Sequence, residues 1–297
     1  MNLEQLKRHF QDAIVTFDQE EKSHEDIDWF RTENHDVIGI KRNLITSRER
    51  VLLNMLLEPY SLAPQPKTVE EEQWAAWIFK GQGTPPAKGQ LQLIHFQLDQ
   101  PVDQYEAFQE AWTSIGHDSF ILLWQTEKTG IVLLFNHSID DPLALEGFTE
   151  ALSSDFYFNV FLLVGLPHQT EATPALFRFE QHAFQTAVER KSKQEIWYGV
   201  EAIPHLLFSE ATTNTKRDLI DHLLPEDVRQ DHELLQSITC YFKHNLNITS
   251  AARSLHLHRN SLQYRVDKFI EKTGIDIRQF SQASVVYLAL LLYDGGQ

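Results

Sequence analysis

The residues whose types and spacing can do chemistry are concentrated in ITSAARSLHLHRNSLQYRVDKFIEK, residues 248–272. Arg259, Asn260, Gln263 and Tyr264 recur at i, i+1, i+4 and i+5, which on a helix is one face. Arginine matches guanine or phosphate, and Asn and Gln match the edge of adenine, so such a face can enter a DNA major groove. Arg265 and Lys268 follow where they can reach base or backbone, according to the docking angle. Ser261 can cap the helix or contact phosphate, and His258 stands at the helix start. The candidate DNA contacts are therefore His258, Arg259, Asn260, Ser261, Gln263, Tyr264, Arg265 and Lys268. Tyr264 can equally pack between helices, and a helical hairpin with a solvated basic face is the plainer alternative for the whole segment.

The apolar residues of the segment say what would hold that face out. Ala251 and Ala252 are small where two helices would approach closely, while Leu255, Leu257, Leu262 and Val266 lie before, within and after a turn of three to four residues. That is the burial pattern of a helix-turn-helix. His256 holds the turn position where many such motifs have glycine, and His tolerates positive φ better than most residues.

Other candidates carry less. His256 and His258 form an H-x-H pair with no Cys or acid at metal-ligand spacing, so they are expected to be turn and helix-start residues. Asp140 and Asp141, before Pro142, are expected to cap a helix and not to hold a metal. Gly81-Gln-Gly83 leads into Thr84-Pro85-Pro86 and is no dinucleotide loop. Cys240 lies in an apolar-periodic helix and reads as a small buried residue, with a redox sensor as the minor alternative. Trp74 and Trp77 read as core. The apolar run 285–293 is too short to span a bilayer and should close a core or pack between protomers.

The chain as a whole bounds these readings. Its 297 residues allow about two domains, possibly three small ones. One cysteine excludes an internal disulfide framework and fits a reducing compartment. The N-terminal stretch has acids in its first turns and no apolar run of signal-peptide length, so a cytoplasmic location is expected. A net charge of −16 would argue against a polyanionic partner, yet residues 231–297 are net +1 and the remainder is −17.

Periodicity places the elements. Residues 1–12 read as helix, 13–17, 29–32 and 37–41 as strands, and Thr46 with Glu49 as a capping box opening a helix that Pro59 stops. Residues 70–80 resume as helix, and GQGTPPAKG is the clearest linker. From 90 to 205 the order is β α β β α β α β, which favours a ferredoxin- or nucleotide-cyclase-like layer, one sheet with helices on one face. Beyond Leu234 everything reads as helix. The expected fold is α+β: a mixed α/β region (1–85), a central sheet domain (86–208), a helical connector (209–232) and an all-α helix-turn-helix domain (233–297).

The segment from Leu234 to Asp294 resembles the C-terminal helix-turn-helix of the PucR family of bacterial transcriptional regulators, which includes CdaR-like sugar-diacid regulators. The likeness rests on N-x-x-x-A-A-x-x-L at 247–255, H-R-N-S-L-x-Y-R at 258–265 and T-G-I-D at 273–276. Ser261 stands where the family usually has Thr. VGLPHQTEATPALFRFEQHAFQTAVE is similar to the end of the degenerate GGDEF-like domain that precedes the DNA-binding region in these regulators, and IGIKRNLITSRERVLL is similar to N-terminal segments of some relatives. The resemblance implies a sensory or scaffolding body and a C-terminal reader of double-stranded DNA, without cofactor. The hairpin WQTEKTGIVLLF lacks the glycines and acidic pair of an active cyclase, Glu127 standing alone, so catalysis is not expected. A homodimer is expected, since one helix-turn-helix covers only a short half-site, with a small-molecule effector acting through residues 206–233. The alternative is a scaffold or sensor whose helix-turn-helix has lost its affinity for DNA, in keeping with the net charge.

Overall fold

The computed structural model describes residues 3–16, 27–32, 36–60, 63–102, 104–115, 120–135, 145–190 and 194–294. Asp140, Asp141 and Pro142 lie outside them. The chain opens with α1 (Leu3–Phe10), β1 (Ile14–Thr16), β2 (Ile27–Arg31), β3 (Val37–Lys41), α2 (Ser47–Leu56) and the two-residue β4 (Glu58–Pro59). The four strands form an antiparallel sheet in the order β1-β3-β2-β4. Thr46 and Glu49 make the expected capping box at α2: the Thr46 hydroxyl accepts from the Glu49 amide, and the Glu49 carboxylate from the Thr46 amide. Leu53 and Leu57 pack against Leu6, Phe30, Ile38 and Ile40.

The central part comprises α3 (Val69–Lys80), β5 (Gln90–Leu98), α4 (Tyr105–Ala111), β6 (Phe120–Trp124), β7 (Thr129–Phe135), α5 (Leu145–Phe156), β8 (Val160–Val164), β9 (His168–Gln169), α6 (Thr173–Glu189) and β10 (Ile196–Tyr198). Its sheet runs β10-β8-β5-β7-β6, with β9 beside β5. β8-β5-β7-β6 is antiparallel throughout, and α4 and α5 are its crossovers, giving the split βαβ arrangement expected from the element order. β10 adds parallel to β8 after α6.

The expectation of helices on one face is corrected by the packing. Ile94, Phe96 and Leu98 of β5 meet Phe108, Leu145 and Phe148 on the α4–α5 side. Leu91 and Leu93 meet Trp74 and Ile78 of α3 and Phe177 of α6 on the other. A strand covered on both faces must be apolar at both phases of the pleat, and LQLIHF is buried from Leu91 to Phe96. α3 precedes the Gly/Pro-rich linker and was grouped by sequence with the N-terminal region, but its apolar stripe lies in this central core.

One polar pair sits under the second face. His95 Nε2 lies 3.0 Å from Glu180 Oε2 of α6, both side chains being buried. Gly165 faces the same carboxylate so closely that a Cβ there would collide with it, which accounts for glycine in VGLP.

The remainder is helical: α7 (Ile203–Glu210), α8 (Thr213–Leu223), α9 (Glu226–Arg229), α10 (His232–Lys243), α11 (Ile248–Ser254), α12 (Arg259–Thr273) and α13 (Phe280–Asp294). Leu223, Leu224 and Val228 join Ile238, Leu262, Val266, Phe269, Val286 and Leu290 in one core. The second half of the 209–232 segment is thus part of the helical body, and the apolar run 285–293 closes its core. α13 also packs against α7 and α8, and Arg190 at the end of α6 donates to the Leu292 carbonyl at 3.3 Å. No helix among the described residues is long and apolar enough to cross a membrane.

Trp74→Ala leaves a cavity between α3 and the central sheet and costs about 3–5 kcal/mol, read as a lowered urea midpoint with β5 as the affected layer. His205 is buried beside Trp197, and burial first, then the Arg190 charge, pushes its pKa from 6.5 down to about 4. The folded chain keeps it neutral while the unfolded chain protonates it, so its contribution is full above pH 6.5 and is lost as pH falls through about 4. His205→Phe should flatten that part of the stability–pH curve relative to wild type.

Candidate nucleic-acid interface

The helix-turn-helix is assembled by caps, two alanines and left-handed residues at its turns, Asn245 and Leu246 before α11 and His256 after it. Asp231 opens α10 by accepting from the Leu234 amide at 3.1 Å. Asn247 opens α11 by accepting from the Ser250 amide at 3.0 Å. Ala251 and Ala252, fully buried, let α11 settle on the helices beside it. The chain then turns through His256 at φ +53°, with the Leu257 amide donating to the Ala252 carbonyl at 2.8 Å. His258 caps α12, its Nδ1 accepting from the Asn260 amide at 3.3 Å. Leu262, Val266 and Phe269 face the core, so the polar side of α12 is turned outward.

The eight candidate contacts divide into two groups on that helix. His258, Arg259, Asn260, Ser261 and Tyr264 are exposed, Tyr264 at 68%. Tyr264 therefore stands in solvent and not between helices. The Arg259 side chain has no hydrogen bond or ion pair among the described residues. Gln263 is half-buried and donates to Asp267 at 3.0 Å.

Arg265 and Lys268 are occupied within the protein. Arg265 donates to the buried Ser237 hydroxyl at 2.7 Å and to Glu233 at 2.9 Å. Lys268 donates to Asp231 at 2.7 Å, and Lys272 to Asp227 at 2.6 Å. The Lys268 ammonium, followed by the Leu234 amide, holds the Asp231 carboxyl below the usual carboxylate range, and Asp231 raises Lys268 in return. The Arg265–Glu233 and Lys268–Asp231 pairs line one wall of an open groove that also contains Asn260, Ser261 and Tyr264. With Arg265 and Lys268 already neutralised by Glu233 and Asp231 on that wall, the cation left open to a polyanion on α12 is Arg259 in its first turn.

Arg253 was absent from the candidate set. It is exposed at the end of α11, makes no hydrogen bond or ion pair through its side chain among the described residues, and its carbonyl accepts from the His256 amide of the turn at 3.1 Å. With Arg259 at the start of α12, it is a second cation flanking the turn whose side chain has no ion pair among the described residues; its signal is its place in A-A-R-S, immediately before that turn. Cys240 is a half-buried free thiol whose Sγ lies 3.7 Å from the Ala251 carbonyl. Among the described residues no group of His, Cys, Asp and Glu is arranged to hold a metal ion.

Comparison with known proteins supports this reading of the geometry. Residues 234–292 match the PucR C-terminal helix-turn-helix domain. The Bacillus subtilis (strain 168) protein YxkF, itself uncharacterised, is 29% identical over 89% of this chain and 90% of its own length. The "leucine-rich protein" of Streptococcus dysgalactiae subsp. equisimilis is 26% identical over 90% of this chain and 94% of its own. The carbohydrate diacid regulator of Escherichia coli (strain K12) is 34% identical over 59 residues, 20% of this chain and 15% of that protein.

The two groups of α12 residues should respond differently to truncation. Arg265→Ala removes two charge-assisted hydrogen bonds, one to a buried hydroxyl, and should cost about 1–3 kcal/mol of stability. Arg259→Ala should leave the melting temperature at the wild-type value. Differential scanning calorimetry of the two variants checks the division.

Proposed function

We propose that this chain, whose residues 234–292 are a PucR C-terminal helix-turn-helix domain and mark it as a transcriptional regulator, acts by binding double-stranded DNA sequence-specifically. The observation that carries the reading is the division of α12. Its first turns offer the unpaired Arg259 with Asn260, Ser261 and Tyr264, while its rear cations are held by the protein's own acids. The exposed set can read base edges, and Arg253 can hold a flanking phosphate.

One such helix spans only a few base pairs, so the chain binds as two copies on half-sites about one helical turn apart. The −17 body repels non-specific DNA and leaves the reader edge as the surface that phosphate can approach. The central layer is a GGDEF-like domain used for sensing and not for catalysis: its β6–β7 turn carries Gln125, Thr126, Glu127 and Lys128, without the paired glycines and carboxylates of a cyclase. A small-molecule effector acts from this body. The contacts of α7 and α8 with α13, and of Arg190 with Leu292, give a path to the reader. Such a protein works in the cytoplasm.

Fluorescence anisotropy on DNA from upstream of the gene and its neighbours, at several salt concentrations, tests the reading. Wild type should bind with a steep log–log salt dependence. Arg259→Ala should lose about 1–3 kcal/mol or reduce the salt slope by about one. Salt-insensitive binding, or no binding to any DNA with or without candidate metabolites, would favour the scaffold reading instead.

A further inference from the structure

α2 carries large apolar residues on the side away from its core as well as toward it. Leu53 is buried, whereas Val51, Leu52, Met55 and Leu56 are 58%, 55%, 78% and 58% exposed. Spaced i, i+1, i+4 and i+5, they form one stripe on the outer face, and Leu44, just before the helix, is exposed beside its start. Apolar side chains clustered on an exposed helix face mark a surface that a partner covers. The stripe offers roughly 500 Å² of apolar surface, the upper end for the largest patch of a monomer. With its polar flanks it approaches the ~800 Å² per partner of a stable protein interface.

The charges around the stripe say what covers it. Arg42 and Arg50 are both held by Asp28 at 2.7 Å, and Glu49 is used in the capping box. Arg48, on the same outer face as the stripe and near its N-terminal end, is exposed and has no ion pair among the described residues. Glu58, just past the helix end, is likewise exposed and makes no ion pair among them, although it lies across the strand register from Arg31, which instead stacks on Tyr60. A two-fold axis through the middle of the stripe would run a second α2 antiparallel to the first. Each Arg48 then falls beside Glu58 of the other copy, and opposite ends of the helix dipoles meet.

We propose that the outer face of α2 is the surface through which two copies of this chain pair, antiparallel, burying Val51, Leu52, Met55 and Leu56 between them. This deepens the two-copy reading of the proposed function and is measured without DNA, so that the failure of one is distinguishable from the failure of the other.

Sedimentation equilibrium of the full-length chain tests it. Wild type should be a dimer at micromolar concentration, and Leu52→Glu with Met55→Glu should raise the dissociation constant by about 30-fold or more. These side chains are exposed, so circular dichroism and melting should confirm an intact fold. Arg48→Glu alone should weaken the dimer, and Arg48→Glu combined with Glu58→Arg should restore it. Arg259→Ala should remain dimeric. A monomeric wild type, a dimer that survives the double glutamate change, or a charge swap that restores nothing would each overturn the proposal.

Discussion

The pairs Lys272–Asp227, Lys268–Asp231 and Arg265–Glu233, at 2.6, 2.7 and 2.9 Å, tie one flank of α12 to α9 and the start of α10. Pairs this exposed contribute little stability individually, with a median of about 0–1 kcal/mol. Their consequence is selection among cations. α12 has four basic residues, and these pairs withdraw three along one side, leaving Arg259 free at the turn. Asp231 links the two levels: it caps α10 through the Leu234 amide and anchors Lys268. Loss of its carboxylate would loosen both the helix start and the seating of α12.

The central sheet imposes the second constraint. Because β5 is covered on both faces, it tolerates one polar side chain toward α6 only with a partner, and His95 has Glu180. Gly165 then has to be glycine to make room for that carboxylate. The same helix ends at Arg190, whose guanidinium stacks over Phe208 at 5.3 Å and reaches the Leu292 carbonyl of α13. α6 therefore touches the sheet at one end and the helical body at the other. On the proposed reading it is the element through which a change in the body meets the helix-turn-helix.

How much of this was legible in the sequence depended on distance along the chain. The helix-turn-helix was readable because its determinants fall within about 25 residues: Ala251 and Ala252, the His256 turn and Leu262 define the motif by local spacing. The capping box of Thr46 and Glu49 was readable for the same reason. The pairs on α12 were not, since Arg265 meets Ser237 across 28 residues and Lys272 meets Asp227 across 45. Types and spacing alone make Arg265 and Arg259 look equally available. The docking of α3 was hidden similarly: Trp74 and Ile78 show an apolar stripe but not which sheet it covers, and the Gly/Pro-rich linker pointed the other way. β4 and β9, two residues each, are fixed by their neighbours and have no pattern of their own.

On the proposed reading, the placement of charge lets such an acidic protein approach DNA. A phosphate backbone approaching the chain meets a net −17 outside residues 231–297 and, along α12, three cations already neutralised by Asp227, Asp231 and Glu233. Attraction remains at the turn, where Arg253 and Arg259 are unpaired and the positive end of the α12 dipole adds its partial charge. Two cations per reader are few against the six to ten phosphate contacts that give strong salt-dependent binding. On the proposed reading a single copy is therefore held weakly on any sequence, and two readers fixed at a set spacing multiply that weak term only where both half-sites are present. On that reading the acids lower the sequence-independent part of the affinity, which leaves base contacts by Asn260 and Arg259 to decide where the pair settles.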